Sequence, residues 1–178
     1  MTSIYRKLTV AFVMICWTLM FLALALYGCG ARINTTRSIP VGLYWTTKDP
    51  IVTGAYVMFC PPEVEVFHEA KNRGYIDTGL CPGHYGYMMK QVMGTKNDTV
   101  NVTNEGVRVN NTLLPLSVPL NADSSGRALP RYQTNHYVLD DTQVLLMSDV
   151  NERSFDSRYF GPIRQSQIVT VIKPIITW

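Results

Sequence analysis

The residue in this chain best suited to chemistry is a lysine. In Gly86-Tyr87-Met88-Met89-Lys90-Gln91-Val92, the alternation of a strand puts Met88, Lys90 and Val92 on one face and Tyr87, Met89 and Gln91 on the other. Both neighbours of Lys90 on its face are apolar. Burying an ammonium there disfavours its charged form and lowers its pKa from ~10.4 by roughly 2–4 units. A lysine that is neutral near pH 7 can take the proton of a serine hydroxyl and so create a nucleophile. The competing reading is a packed stem whose ammonium reaches water. A serine that could answer it is Ser38, in Arg37-Ser38-Ile39-Pro40-Val41-Gly42. Pro40 biases Ile39 towards extended backbone and Gly42 permits a sharp bend, which sets Ser38 on a rigid turn. By itself, Ser38 is equally an ordinary turn residue.

Other chemistries find little support. The chain has no Gly-rich phosphate loop, no His-Glu-x-x-His and no Gly-x-Ser-x-Gly, and nothing in the spacing of His68, His84 and His136 selects a Ser-His-Asp triad. Cys60, His68, Cys81 and His84 could be read as a metal site, but only Cys81-Pro82-Gly83-His84 has tight ligand spacing. A disulfide between Cys60 and Cys81 is the leading reading if this part of the chain is exported. Four Asn-x-Thr triplets begin at Asn34, Asn97, Asn101 and Asn110, and asparagine at turns accounts for most of them.

The compartment is decided near the N-terminus. Arg6 and Lys7 precede an apolar run of 20 residues, Leu8 to Tyr27. As a helix it would cross the ~30 Å hydrocarbon core, with the positive end in the cytoplasm and the rest exported. A retained anchor is favoured over a signal peptide cut after Ala23-Leu24-Ala25, and over a lipid-modified Cys29. Two segments are therefore expected: a membrane anchor or signal segment at 1–30 and an exported domain at 31–178. No Asp, Glu, Lys or Arg lies between Lys7 and Arg32, which accounts for a charged fraction of only 16% in 178 residues. The 19 aromatic residues and a net charge of +3 argue against disorder, and the low charge gives no basic stripe for nucleic acid.

The elements that must position Lys90 and Ser38 read as short strands with turn punctuation. Strands are expected over 54–59, 85–94, 99–102, 107–109, 136–139, 143–147 and 167–172, with a helix over 61–73 stopped by Gly74 and a loop over 116–129. The fold class is mainly β, behind one N-terminal transmembrane helix.

Three segments together resemble a known family. Thr36-Arg37-Ser38-Ile39-Pro40-Val41-Gly42-Leu43-Tyr44 is similar to the serine box of the TraF branch of the type I signal peptidase superfamily. Gly86 to Val92 resembles its lysine box, and Ser154-Phe155-Asp156-Ser157-Arg158-Tyr159-Phe160-Gly161 resembles the Ser-x-Asp-Ser-Arg-x-x-Gly box of signal peptidases. The likeness runs from about Ile33 to Trp178 in matching order, and three ordered boxes behind an apolar run are more specific than any one of them. Gln91 stands where signal peptidases usually carry Arg, and Met147-Ser148-Asp149-Val150-Asn151 replaces the usual Gly-Asp-Asn opening; both departures agree with the TraF branch.

The resemblance implies a signal-peptidase-like β-barrel or ribbon domain with Ser38 as nucleophile and Lys90 as general base. It implies an oxyanion hole made by the Ser38 N–H and the Thr36 hydroxyl, Ser154 orienting Lys90, and an Asp156–Arg158 pair holding the last box. It also implies a bacterial inner-membrane protein with its catalytic domain in the periplasm, working with a conjugative type IV secretion machinery and needing no cofactor. The implied substrate is a conjugative pilin precursor, released by hydrolysis or cyclised by transpeptidation. The alternatives are a general type I signal peptidase and a non-catalytic single-pass component of the secretion channel.

Overall fold

The computed structural model describes residues 2–178 and divides into two compact units, 1–32 and 33–178. The first unit is dominated by α1 (Thr2–Gly28). Its stretch Ile4–Gly28 is long and apolar enough to cross a membrane, and the described side chains along it are exposed. From Leu8 to Tyr27 apolar residues lie all round, which is the composition of a helix that can meet lipid on every side.

Strand β1 (Ala31–Asn34) leads into the second unit, which is mainly β as expected. It continues with β2 (Gly42–Thr47), β3 (Tyr56–Phe59), α2 (Glu65–Asn72), β4 (Thr78–Cys81), β5 (Met88–Gly94), β6 (Thr99–Thr103), β7 (Gly106–Val109) and β8 (Thr112–Leu113). Then come β9 (Thr134–Val138), β10 (Gln143–Met147), α3 (Ser157–Phe160), β11 (Ile163–Arg164) and β12 (Ile168–Thr177). Seven strands form one sheet in the order β1-β2-β12-β3-β5-β10-β11, and four form a second in the order β8-β7-β6-β9. Hairpin turns sit where asparagines supply left-handed backbone: Asn97, Asn110 and Asn111 all have positive φ.

Strand β5 runs through the middle of the larger sheet, antiparallel to β3 on one side and β10 on the other. Met88, Lys90 and Val92 share the buried face, and Met88 and Val92 join a core with Val57, Phe59, Phe67, Val144 and Leu146. Met89 on the opposite face packs against a separate cluster of Ile39, Tyr44, Met58 and Ile172. The period-two reading of this strand therefore holds, although it begins at Met88 and not at Tyr85.

Other boundaries moved for identifiable reasons. The helix is shorter than expected and starts at Glu65; it buries Phe67 and Ala70, while Val64, just before its first turn, is exposed. Its end is as read: Gly74 has φ +77°, and the Gly74 and Tyr75 N–H groups return to the Lys71 and Ala70 carbonyls. Strand β12 runs on through Pro174 to Thr177, with a register shift after the proline that accommodates the missing N–H. Gly42 does not make a bend. It opens β2, and a Cβ there would lie 2.2 Å from the Ile176 carbonyl oxygen, so the glycine serves a close approach of two strands. Cys60 and Cys81 are joined as a disulfide, which clips the end of β3 to the end of β4 across α2 and takes both thiols out of the metal reading.

Candidate active site

Ser38 lies in the turn between β1 and β2. Ile39, fully buried against Tyr44, Met58 and Ile172, anchors the apolar side of this turn. Its polar side is organised by Asn34, the last residue of β1 and only 3% exposed. The Asn34 amide nitrogen donates to the carbonyls of Thr36 (2.7 Å), Ile39 (3.0 Å) and Pro40 (3.1 Å). Its carbonyl oxygen accepts from the Thr36 N–H (3.2 Å) and the Thr36 hydroxyl (3.0 Å). The Tyr44 hydroxyl donates to the Pro40 carbonyl at 2.6 Å, closing the turn from the β2 side. Thr36 Oγ1 and Ser38 Oγ are 2.9 Å apart.

Lys90 is 2% exposed, and Nζ donates to Ser154 Oγ at 2.6 Å. Burial is the main cause that lowers its pKa to about 8; the Asp156 carboxylate raises it, and the Arg158 guanidinium lowers it again. An ammonium stem that snorkels to water is thus not what the strand presents.

Asp156 and Arg158 are both fully buried and form a bidentate pair, with Nε and Nη2 each 2.8 Å from a carboxylate oxygen. The carboxylate also accepts the Ser148 N–H and caps α3 through the Arg158 N–H. Arg158 Nη1 reaches the carbonyls of Glu152 (2.6 Å) and Val118 (3.3 Å), so the one guanidinium ties together three segments of loop. Ser157 Oγ accepts from the Leu146 N–H of β10, the strand paired with β5, which fixes the box next to the lysine. A buried ion pair so thoroughly hydrogen-bonded is a structural fixture whose charges are balanced locally.

The six residues singled out from sequence therefore fall into two groups. Thr36 and Ser38 are joined in the serine turn, and Lys90 and Ser154 are joined beside Asp156 and Arg158. Among the described residues no hydrogen bond links Ser38 to Lys90. Sequence reasoning missed Asn34, which it met only as the start of an Asn-x-Thr triplet. The one signal was its position two residues before Thr36. Among the described residues no group of His, Cys, Asp and Glu is placed to hold a metal ion.

A family model described as signal peptidase, peptidase S26, matches residues 3–178. A plasmid transfer protein TraF of Escherichia coli is 57% identical over 178 residues, covering 100% of both chains. A conjugal transfer protein TraF of Agrobacterium fabrum is 34% identical over 151 residues, 84% of each chain. The crystal structure of a signal peptidase I from Enterococcus faecalis V583 aligns with 17% identity and a TM-score of 0.40, covering 72% of this chain and 100% of that one. Membership at this coverage supports serine peptidase chemistry, and the apolar helix supports a membrane anchor. The chain belongs to the signal peptidase S26 family, alongside its TraF relatives.

Proposed function

We propose that this protein is a membrane-anchored serine endopeptidase in which Ser38 and Lys90 form the catalytic dyad, and that it processes a conjugative pilin precursor. The observation that carries the reading is the Lys90 amine, 2% exposed and held by Ser154, with a pKa lowered to about 8. Such an amine is a usable base near neutrality, and a solvated lysine is not. In the proposed cycle, the Ser38 hydroxyl turns from Thr36 to the neutral Lys90 amine. Ser154 holds one N–H and leaves the nitrogen lone pair free. Oγ attacks the scissile carbonyl as its proton passes to Nζ. The Ser38 N–H and the Thr36 hydroxyl stabilise the oxyanion. Collapse breaks the C–N bond, the leaving amine takes the proton from Lys90, and an ester on Ser38 is left. Asp156 and Arg158 hold Ser154 in place.

The acyl-enzyme then passes to water, or to the N-terminal amine of the same substrate to give a cyclic peptide. A tethered amine favours the second route, because effective molarities of ~10⁵ M or more exceed that of water. Two relatives are described as plasmid transfer and conjugal transfer proteins, which supports a place beside a conjugative secretion machinery. The apolar helix behind Arg6 and Lys7 supports an inner-membrane anchor with the peptidase domain in the periplasm. The family description favours a second reading, removal of many export signals.

Mass spectrometry of the pilin from cells carrying the native protein, Ser38→Ala or Lys90→Ala tests both. The expected result is a mature pilin with the native protein, lighter by one water than the linear chain if cyclised, and the precursor with either variant. Pilin processing that survives Ser38→Ala overturns the dyad. Accumulation of many uncleaved export precursors in the variants would favour the second reading.

A further inference from the structure

We propose that Asn34 is a positioning residue for the oxyanion hole, acting through Thr36; this rests on the reading of Ser38 as nucleophile and Thr36 as an oxyanion donor. Its carboxamide is used on both sides. Two amide hydrogens serve three carbonyls of the serine turn, so at least one is shared, while the amide oxygen accepts both the Thr36 N–H and the Thr36 hydroxyl. Asn34 belongs to β1, so the amide transfers the rigidity of the sheet to a turn that is otherwise held by Ile39 and by the Tyr44 hydroxyl on Pro40.

Hydrogen counting gives this arrangement a direction. The Thr36 hydroxyl owns one hydrogen, and an amide oxygen can only accept, so that hydrogen points at Asn34. The 2.9 Å contact between Thr36 and Ser38 must then be donated by Ser38. In the free enzyme Asn34 therefore fixes Thr36 at its backbone N–H and its hydroxyl, and Thr36 in turn receives the serine hydrogen. When charge develops on the substrate oxygen, a rotation about the Thr36 Cβ–Oγ bond carries its hydrogen from Asn34 to the oxyanion. Only the hydrogen moves, because the heavy atoms are already placed. Preorganisation of this kind is what makes an oxyanion donor effective.

A residue that merely kept the turn folded would lower activity equally whether or not Thr36 has a hydroxyl. A double-mutant cycle on full-length enzyme, read by pilin precursor cleavage, separates the two. Asn34→Ala alone should lower kcat by about 10²-fold, the scale of an ångström's misplacement, with KM changed less than about threefold. In a Thr36→Val background, the same change should cost less than about threefold. Should the alanine protein fail to fold by circular dichroism, Asn34→Ser carries the same cycle with a smaller loss of packing. Equal losses in the two backgrounds, or a loss confined to KM, overturn the role of Asn34. Processing that survives Ser38→Ala instead removes the reading beneath it, so the two failures are distinguishable.

Discussion

Lys90 combines two requirements that conflict in water. It must be uncharged to accept a proton, and it must be held by polar groups to be aimed. The strand meets the first by burying the lysine on the face it shares with Met88 and Val92, opposite Val57, and the second by supplying a neutral partner, Ser154, with the carboxylate of Asp156 kept occupied by Arg158. A direct carboxylate partner would push the lysine pKa back up and defeat the purpose. Because the folded-state pKa is lowered to about 8, the neutral base is the minor form at pH 7 and the major form above pH 8. The dependence of kcat/KM on pH, which reports the free enzyme, should rise through an apparent pKa near 8 and then level off. The measurement is pilin precursor cleavage from about pH 6 to about pH 10. A profile that keeps rising to the ordinary lysine range near 10, or one with no inflection, would contradict a desolvated base.

Between Asn151 and Gly161, the short helix α3 and its leading loop act as a bracket whose strength comes from one buried ion pair. Among the described residues Asp156 is the only acidic partner of a fully buried guanidinium, and its carboxylate also caps α3 and holds the Ser148 N–H. Asp156→Ala leaves Arg158 buried and uncompensated, which should cost about 3–5 kcal/mol in denaturant unfolding. The paired change Asp156→Ala with Arg158→Met removes the orphaned charge and should be destabilised less than the single variant. If the pair is no better than Asp156→Ala alone, the supporting role assigned to the ion pair is wrong. Elements like β5 were legible because an alternating pattern states its own faces, and the Gly74 stop was legible because a left-handed cap is a local demand. Strand β2 and the end of β12 were not, since Gly42 is required by the approach of Ile176 and Pro174 is tolerated by a register shift; both are properties of a pairing between distant segments. Asn34 was illegible for a local reason. The carbonyls it gathers come together only once the turn is folded. The sequence boxes implied both a contact between Ser38 and Lys90 and a bond from Lys90 to Ser154; among the described residues only the second is made, and it depends on where the 154–158 segment packs.

The second unit as a whole is braced by a covalent link far from the serine turn in sequence but close to the lysine in topology. Cys60 follows Phe59 at the end of β3, the strand whose Val57 stands opposite Lys90, and the bond to Cys81 closes a segment spanning 21 residues that contains α2. Closing a loop of that length restricts the unfolded chain by roughly 3 kcal/mol in the entropy model. For a unit of this size such a loss lowers the melting temperature by roughly 6–12 °C. Cys16 and Cys29 carry free thiols, so a reductant acts on this bond alone. Thermal unfolding with and without reductant, and of the Cys60→Ser/Cys81→Ser protein, should therefore give the same lowered midpoint for the reduced native chain and the double variant. Precursor cleavage well below that midpoint should persist, because the β3–β5 ladder and the Lys90–Ser154 bond do not pass through the disulfide. An unchanged midpoint would mean the unfolded chain is already compact in this region, and cleavage lost along with the bond would mean that β3 depends on the clip for its register against the lysine strand.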